Sequence, residues 1–448
     1  MTRRSLGLLI AAGLLATTAP AGATDVLDFS ELGTQNMGRS GAWVARATTP
    51  LATFYNPAGL AGQRLGASAD VALSIDKFCF TRAGPGSTLQ GGVSYGGEVC
   101  SESGVEPLPA IAGVLALGER LGIGLSVAPP SLYGSIIFPE TVSRRNIAGV
   151  EADFPAPQRY LLLESNGLFL NTTLSAGYAV TDEVRVGAGF IWGLANYKLA
   201  NANQSVPVNP QPDGSYEDPI DSDIQASIDV TDLFIPGFVV GVLASPLAEL
   251  DVGFSLTVQE AFDGHGDLET KANYWTGNGV SDNPTVGSST AAGEDLAHFR
   301  LPNPLDIRLG ARFHLPRDSA PALLERDPLE DDVFDIELDL SYTRNSAYQE
   351  ALLRFPTDKL IEVKGTGGRA PFNADVPFKL KGDTLGLRLG GDYNVLPGRL
   401  AVRCAPVVGT SPTSSGPSTS TWHCWRVSAS GCREVRRCAW ARSTWKPP

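Results

Sequence analysis

Apolar and polar residues alternate with a period of two along several stretches of this sequence. Every odd position from residue 305 to 315 is apolar, whereas the even positions include Asp306, Arg308, Arg312 and His314. From residue 334 to 342 the even positions are apolar, and Asp335, Glu337 and Asp339 lie between them. Similar stretches are residues 168–178, 184–194, 238–244, 250–258 and 385–393. A period of two is typical of β-strands with one apolar and one polar face, so the sequence predicts an all-β fold.

The lengths of these stretches favour a membrane barrel. Each has about the ten residues that a tilted strand needs to cross a bilayer. Residues 181–183 and 246–249 are short polar connectors, whereas residues 199–225 and 263–297 are long and rich in Asn, Asp, Gly, Ser and Pro. Short turns at one end and long loops at the other are typical of a transmembrane antiparallel β-barrel. A soluble antiparallel sandwich also alternates, but such long strands with charges on the second face are less usual there.

The start of the chain predicts export. Arg3 and Arg4 precede an apolar run from residue 6 to 16, and Ala21-Gly22-Ala23 has the small-x-small pattern of a cleavage site. We therefore interpret residues 1–23 as a signal peptide. The apolar run is too short for a membrane anchor, and no later stretch approaches the ~20 apolar residues of a membrane helix.

Charge and motifs argue against nucleic-acid binding and against catalysis. With 35 basic and 48 acidic residues, the surface is a poor partner for nucleic acid. The chain has four His, none beside a Ser nucleophile motif, and no spacing typical of a metal site or cofactor site. We therefore expect no enzyme activity, cofactor or metal. Asp335, Glu337 and Asp339 are interpreted as the lumen face of a strand that pairs across a hairpin with Arg308 and Arg312.

The stretch "LGTQNMGRSGAWVA" (residues 32–45), followed by "ATFYNPAGLAG" (residues 52–62), resembles the start of the long-chain fatty acid transporter family of the outer membrane. This family includes the toluene and xylene uptake channels. Asn56-Pro57-Ala58 matches its recurrent hatch motif, and Gly38, Arg39 and Gly41 precede the motif at the expected distance. The resemblance implies that residues 24–63 form a hatch inside a barrel of residues 64–403. Relatives have about fourteen strands, of which about eleven can be counted here.

The resemblance also implies a function. It indicates passive diffusion of long-chain fatty acids or aromatic hydrocarbons through the outer membrane of a Gram-negative bacterium. The expected partners are the hydrophobic ligand, outer-membrane lipid and lipopolysaccharide, and the barrel-assembly machinery, with the protein acting as a monomer. A general porin for polar solutes and a non-transporting adhesin or scaffold are the alternatives. A charged lumen without a hatch would favour the porin, and a blocked lumen without a lateral exit would favour the scaffold.

Pro129 and Pro130 end a strand that begins near Gly122. Two prolines remove two ladder donors, so the sheet must open or bulge there unless the strand simply ends. In the family, a kinked third strand opens the wall to let an apolar substrate leave sideways. Counted from Arg64, the strand before Pro129 is the third, so the resemblance implies a lateral gate.

Cys79 and Cys100 flank a Gly-rich stretch in the first long loop. Because exported proteins fold in an oxidising compartment, we predict a disulfide between them. No His lies near either Cys, which argues against a metal site.

The last part of the chain, residues 404–448, differs in composition from the rest. It holds four of the six Cys and four of the seven Trp, and the alternation stops. A shifted reading frame would produce such a tail, and a natural Cys-rich tail is the alternative. The chain ends Lys446-Pro447-Pro448, without the terminal aromatic residue that such barrels usually have. We expect these residues not to continue the sheet.

Overall fold

The structure is a computed structural model, and it describes most of the chain after residue 31. The predicted signal peptide, residues 1–23, and the first part of the expected hatch lie outside the described residues. The described ranges are residues 32–74, 77–82, 88–89, 93–94, 97–102, 104–130, 135–145, 149, 151–204, 217–218, 223–272, 297–317, 324, 326–347, 351–354, 360–363, 368–371, 375–376, 383–396, 400–405, 407–410 and 423–428.

Strands dominate the described residues, as the alternation predicts. The helices are short: α1 (Thr34–Met37), α2 (Ala52–Tyr55), α3 (Pro328–Asp331) and two 3₁₀ helices, Pro57–Leu60 and Asn345–Ala347. In the described part of the chain, no helix has the length and apolar composition to cross a membrane. The strands are β1 (Gly66–Ser74), β2 (Cys79–Thr81), β3 (Thr88–Leu89), β4 (Val93–Ser94), β5 (Glu98–Cys100), β6 (Glu106–Leu117), β7 (Leu121–Ala128), β8 (Ile136–Ile137), β9 (Thr141–Arg145), β10 (Glu151–Pro155), β11 (Glu164–Ala179), β12 (Val184–Gln204), β13 (Glu217–Asp218), β14 (Asp223–Leu247), β15 (Leu250–Gln259), β16 (Phe262–Ala272), β17 (Ala297–Leu301), β18 (Asp306–Pro316), β19 (Asp332–Thr343), β20 (Ala351–Arg354), β21 (Leu360–Val363), β22 (Gly368–Pro371), β23 (Asp375–Val376), β24 (Thr384–Leu396), β25 (Leu400–Ala405), β26 (Val407–Thr410) and β27 (His423–Ser428).

One large antiparallel sheet organises the molecule. Its principal neighbours follow in the order β1, β6, β7, β11, β12, β14, β15, β18, β19, β24 and β25. This order is nearly sequential because short turns join β6 to β7, β11 to β12, and β14 to β15. Toward the other end of the strands, β16 pairs with the first half of β14, β17 with β16, and β20 with β17. The antiparallel all-β prediction is confirmed.

The strands are longer than the alternation indicates. β12 continues to Gln204 and β14 begins at Asp223, within a stretch that the sequence predicts to be a loop. Likewise β16 runs from Phe262 to Ala272. In the extension of β12 polar residues occupy both faces, so the period-two signal disappears. The start of β14 does alternate, with Ile224, Ala226, Ile228 and Val230 on one face, and the sequence analysis overlooked this short stretch.

In β18, β19 and β24 the sheet is apolar on its outer face and polar on its inner face, whereas in the first half of β14, in β16 and in β17 the inner face carries a buried apolar cluster that includes Ile228, Phe262 and Phe299. In β18, Arg312 and His314 are buried, with 2% and 1% exposure, whereas Phe313 between them is 47% exposed. The same holds in β19, where Glu337 is buried and Leu340 is exposed. A soluble sandwich buries its apolar face, so this arrangement rules out the sandwich alternative.

Two short strands of the C-terminal part extend the sheet, contrary to the expectation for residues 404–448. β26 pairs with β24 and β27 pairs with β25. Strand edges present unpaired N–H and C=O groups, and β27 contains Trp425 and Val427, which favour extended backbone. The shifted reading frame itself stays a prediction.

Cys79 of β2 and Cys100 of β5 lie directly opposite each other in a small two-stranded sheet. The structure joins them by a disulfide with an S–S distance of 2.09 Å and a Cα–Cα distance of 4.0 Å. The bridge closes the long connection between β1 and β6.

We expect this disulfide to form in the exported protein, because folding takes place in an oxidising compartment. Peptide mapping by mass spectrometry without reductant should recover Cys79 and Cys100 in one linked fragment. Alkylation of both thiols before reduction would contradict the bridge.

Candidate functional site

Residues 32–63, which we call the N-terminal segment, pack against the inner face of the sheet. The motif residues Asn56, Pro57 and Ala58 are buried. Asn56 has an extended backbone (φ −156°), and its Oδ1 accepts a hydrogen bond from Ala58 N at 3.2 Å. This caps the 3₁₀ helix, and Pro57 at its first position needs no N–H partner. The sequence Asn-Pro-Ala is therefore a local helix start.

The same Asn56 side chain ties the segment together and to the wall. Its Nδ2 donates to Val44 O at 2.9 Å and to Val242 O of β14 at 3.2 Å. Gly41 turns the chain before this point with a φ of +81°, and Gly38 ends α1. Gly38 and Gly41 thus shape one turn, and Asn56 joins a second turn to Val44 and to the wall.

Seven glycines of the wall, which we call the glycine belt, make room for the segment. They lie on β7, β11, β12, β14, β15, β18 and β24, and those on β7, β11, β12 and β14 are directly opposite one another. A Cβ on the β11 glycine would lie 2.3 Å from Pro57 O, and one on the β12 glycine 2.3 Å from Ala58 N. Such distances cannot be accommodated by backbone atoms, so a side chain here would displace the segment. The belt consists of Gly122, Gly177, Gly187, Gly241, Gly253, Gly310 and Gly390.

Carboxylates of β19 bind the backbone of the N-terminal segment. Asp339 Oδ2 accepts from Trp43 N at 2.8 Å and from Val44 N at 3.1 Å. Glu337 Oε1 accepts from Ala45 N at 2.7 Å and from the next amide at 3.2 Å. Charge-assisted bonds of this kind are about twice as strong as neutral ones, so β19 fixes this turn.

Two arginines of the segment complete the contact. Arg39 Nη2 lies 2.9 Å from Glu337 Oε2, and Arg39 Nη1 also contacts Asp335. Arg46 Nη1 lies 2.9 Å from Asp335 Oδ2 and contacts Asp392 of β24. The arginine and carboxylate side chains are at most 2% exposed. The structure therefore gives Arg39 a partner, Glu337, whereas the family resemblance indicated only the position of Arg39 in the motif.

The predicted charge ladder forms in part. Arg312 binds Asp335 across β18 and β19 at 2.9 Å, and it also binds Asp251 of β15 at 2.9 Å. Arg308 forms an ion pair with Asp306 of its own strand at 2.5 Å and lies opposite Ser341, so its predicted pairing with the carboxylates of β19 stays a prediction. Glu337 and Asp339 accept hydrogen bonds from the N-terminal segment, contacts that the predicted ladder did not include.

A cavity of about 100 Å³ lies between the segment and the wall. Its apolar side includes Tyr55, Phe169 and Val239, and its polar side includes Asn171 and Gln259. The two amides satisfy each other, with Asn171 Nδ2 donating to Gln259 Oε1 at 3.1 Å and Gln259 Nε2 donating to Asn171 Oδ1 at 3.0 Å. Arg308 and Asp306, which also line the cavity, form the ion pair described above. The cavity thus offers apolar surface and polar groups that already have partners.

The described pairing of β7 with β11 ends beside this cavity. β7 pairs with β11 as far as Ala128 opposite Asn171, and in the next described strand, β8, Ile136 lies opposite Ser165. Pro129 and Pro130 directly follow β7, and Pro130 lines the cavity. β7 is the third strand of the principal order, as counted from the sequence.

Comparison with known proteins supplies structural relatives. Neither a family model nor a curated protein matches the chain. A Pseudomonas aeruginosa FadL homologue aligns at 17% identity with a TM-score of 0.56, over 90% of this chain and 83% of that chain. This chain has the fold of that protein. The Ralstonia pickettii toluene transporter TbuX aligns at 15% identity with a TM-score of 0.54, over 85% and 87% of the two chains. The CymD monoaromatic hydrocarbon channel aligns at 16% identity with a TM-score of 0.53, over 90% and 89%.

The glycine belt and the partners of Arg39 are the features that the sequence analysis missed. A signal for the belt was present, because several of these glycines occupy polar-face positions of alternating stretches. The pairing of Arg39 with Glu337 has no comparable signal, since 298 positions separate the two residues.

We expect Gly187→Ala to lower the thermal unfolding temperature, because its Cβ would collide with the backbone of Pro57 and Ala58. A cost of about 1–3 kcal/mol is typical of such overpacking. Gly113→Ala on β6 is the matched control, since its Cβ would come no closer than 3.8 Å to another atom. Equal unfolding temperatures for the two variants would show that the belt does not contact the segment.

We expect Glu337→Ala to destabilise the protein by about 3–5 kcal/mol, because it removes the buried acceptor of Arg39 Nη2 and of two backbone amides. Unfolding in guanidinium chloride measures the change. Asp182→Ala breaks an exposed ion pair with Arg120 and should cost at most about 1 kcal/mol. A loss no larger in Glu337→Ala than in this control would refute the anchoring role.

Proposed function

We propose that this protein is an outer-membrane channel of a Gram-negative bacterium, through which hydrophobic molecules enter by passive diffusion. The observation that carries the proposal is the reversed polarity of the sheet. Large apolar side chains such as Leu174, Phe238 and Leu340 are 51–61% exposed on its outer face. A contiguous apolar surface of this extent is stable in lipid and not in water.

We also propose that the chain belongs to the family of long-chain fatty acid transporters. The fold that the chain shares with the solved structures supports this assignment. We propose that the N-terminal segment is the hatch of the channel. Its contacts with strands from β7 to β24 support that role, because a segment touching so many strands blocks the direct path along the inner face. We also propose that the protein acts as a monomer among outer-membrane lipid and lipopolysaccharide, after folding on the barrel-assembly machinery.

The cavity and the end of β7 suggest the route. A guest in the cavity lies beside Pro130, where β7 stops pairing with β11. We propose that the guest leaves sideways at Pro129 and Pro130 into the lipid, as the kinked strand of the family implies. Because the cavity binds an apolar guest only weakly, the guest can leave it for the lipid. The concentration gradient of the guest gives the direction of transport.

The cavity favours an uncharged guest about the size of a single aromatic ring. At about 100 Å³ it is well below the ~300 Å³ of pockets for larger ligands. A fatty acid carboxylate would have to compete with Asp306 for Arg308. TbuX and CymD are named as a toluene transporter and a monoaromatic hydrocarbon channel, which agrees with this preference.

Neither alternative function fits the site as well. A general porin needs a wide, hydrated path, whereas here the inner face is occupied by the N-terminal segment. A scaffold needs no cavity beside the end of a strand. The absence of an enzyme activity remains an expectation, and the transporters and channels of the same fold are consistent with it.

Uptake of toluene and of a long-chain fatty acid by cells with and without the protein tests the proposal. We expect faster toluene uptake with the protein, and a several-fold loss in Val239→Trp, whose side chain would fill the cavity. Val240→Trp is the matched control, because that side chain points to the outer face. Uptake of polar solutes instead would support a porin, and equal uptake with and without the protein would support a scaffold.

A further inference from the structure

Two histidines and an aspartate meet on the outer surface of β16 and β17. His265 lies directly opposite His298 in the strand pair, and the two rings stack with centroids 4.2 Å apart and planes 19° from parallel. The Asp263 carboxylate is on the same face of β16 and contacts His298 Nε2. One ligand atom from each residue lies within 4.8 Å of the other two.

The inner face of these strands holds the cluster in place. Phe262 and Phe299 alternate with the cluster residues and pack with Phe169 in a buried apolar core. The Asp263 amide donates to Asp232 Oδ2 of β14 at 3.0 Å. Because successive residues of a strand point to opposite faces, the packed phenylalanines fix the direction of Asp263, His265 and His298. The backbone of the cluster is therefore ordered without a ligand.

Two imidazoles and a carboxylate are the donor set of a transition-metal site. Zn²⁺ takes such ligands at about 2.0–2.2 Å, which places the ligand atoms about 3–3.5 Å from each other. The present separations, all within 4.8 Å, are compatible with such a site once the side chains turn toward a shared ion. We propose that Asp263, His265 and His298 bind a divalent transition-metal ion such as Zn²⁺, with water completing its coordination.

Charged residues surround the cluster, and two aspartates among them lie close to each other. Asp229 of β14 lies directly opposite Asp267 of β16, on the same face as His265. Like charges in this position are destabilising, and a nearby dication offsets their repulsion. Arg300 of β17 lies directly opposite Asp263, and Arg354 of β20 lies directly opposite His298, so both acidic and basic residues border the cluster.

The site lies outside the apolar surface. On β14 the exposed apolar residues Leu233, Phe234 and Phe238 lie toward the short turn between β14 and β15. Thr231, which is opposite His265, and Asp229 lie on the other side of these apolar residues, toward the start of β14. The cluster is thus in contact with water, where metal ions are available. A bound ion would connect β16 to β17 across the long connection between them and would stabilise this strand pair.

Calorimetric titration of the full chain in detergent, purified without a polyhistidine tag, tests the site with Zn²⁺. We expect one Zn²⁺ per chain, with the dissociation constant raised at least about tenfold in both His265→Ala and His298→Ala, and raised also in Asp263→Asn. Glu119→Gln, on the exposed turn between β6 and β7, is the control and should bind like the parent.

Electron paramagnetic resonance with Cu²⁺ provides a second readout. Nitrogen splitting should indicate two imidazoles in the parent and one in either histidine variant, provided each variant keeps the parent's resistance to heat. The proposal is overturned if Zn²⁺ binding does not saturate, or if the His265→Ala, His298→Ala double variant binds it as the parent does. In that case the cluster is a hydrogen-bonded His–Asp pair with a stacked ring.

Discussion

Carboxylates buried on the inner face of β19 need partners, and the rest of the structure depends on how they obtain them. Asp335, Glu337 and Asp339 are at most 4% exposed. An unpaired buried charge costs several kcal/mol, so each of these carboxylates needs a basic side chain or an N–H donor beside it. Arg312 supplies one from the neighbouring strand. The N-terminal segment supplies the others through Arg39, Arg46 and the amides of residues 43–46. The sheet and the segment therefore stabilise each other.

The position of the segment determines the shape of the interior. Once residues 43–46 are bound to β19, the chain must pass close to the opposite strands, and the glycine belt gives it the space. Asn56 then bonds to β14, and Phe54 and Tyr55 face the remaining space as part of the cavity lining. The proposed route follows from this arrangement, because the cavity is the space that the segment leaves beside the end of β7.

The sequence predicted those features that depend on neighbouring residues. Alternation revealed the strands and their two faces, and the residue types of Asn56, Pro57 and Ala58 indicated a tight buried turn. It could not predict contacts that depend on strand order and register. Arg308 illustrates this limit, since alternation placed it on the inner face but could not decide between Asp306 and the carboxylates of β19. His265 and His298 meet only because β16 and β17 pair in one register. The pairing of β26 and β27 was missed because strand edges accept many extended sequences.

Hydrogen exchange at residues 43–46 tests most directly whether β19 holds the N-terminal segment. The measurement follows deuterium uptake by mass spectrometry in the detergent-folded protein, with the turn at residues 181–183 as the exposed reference. If Glu337 and Asp339 accept hydrogen bonds from the amides of residues 43–46, a peptide that spans these residues should exchange as slowly as β18 and β19. Exchange would require the N-terminal segment to leave β19, which breaks buried ion pairs. Exchange as fast as that of the turn would contradict the account.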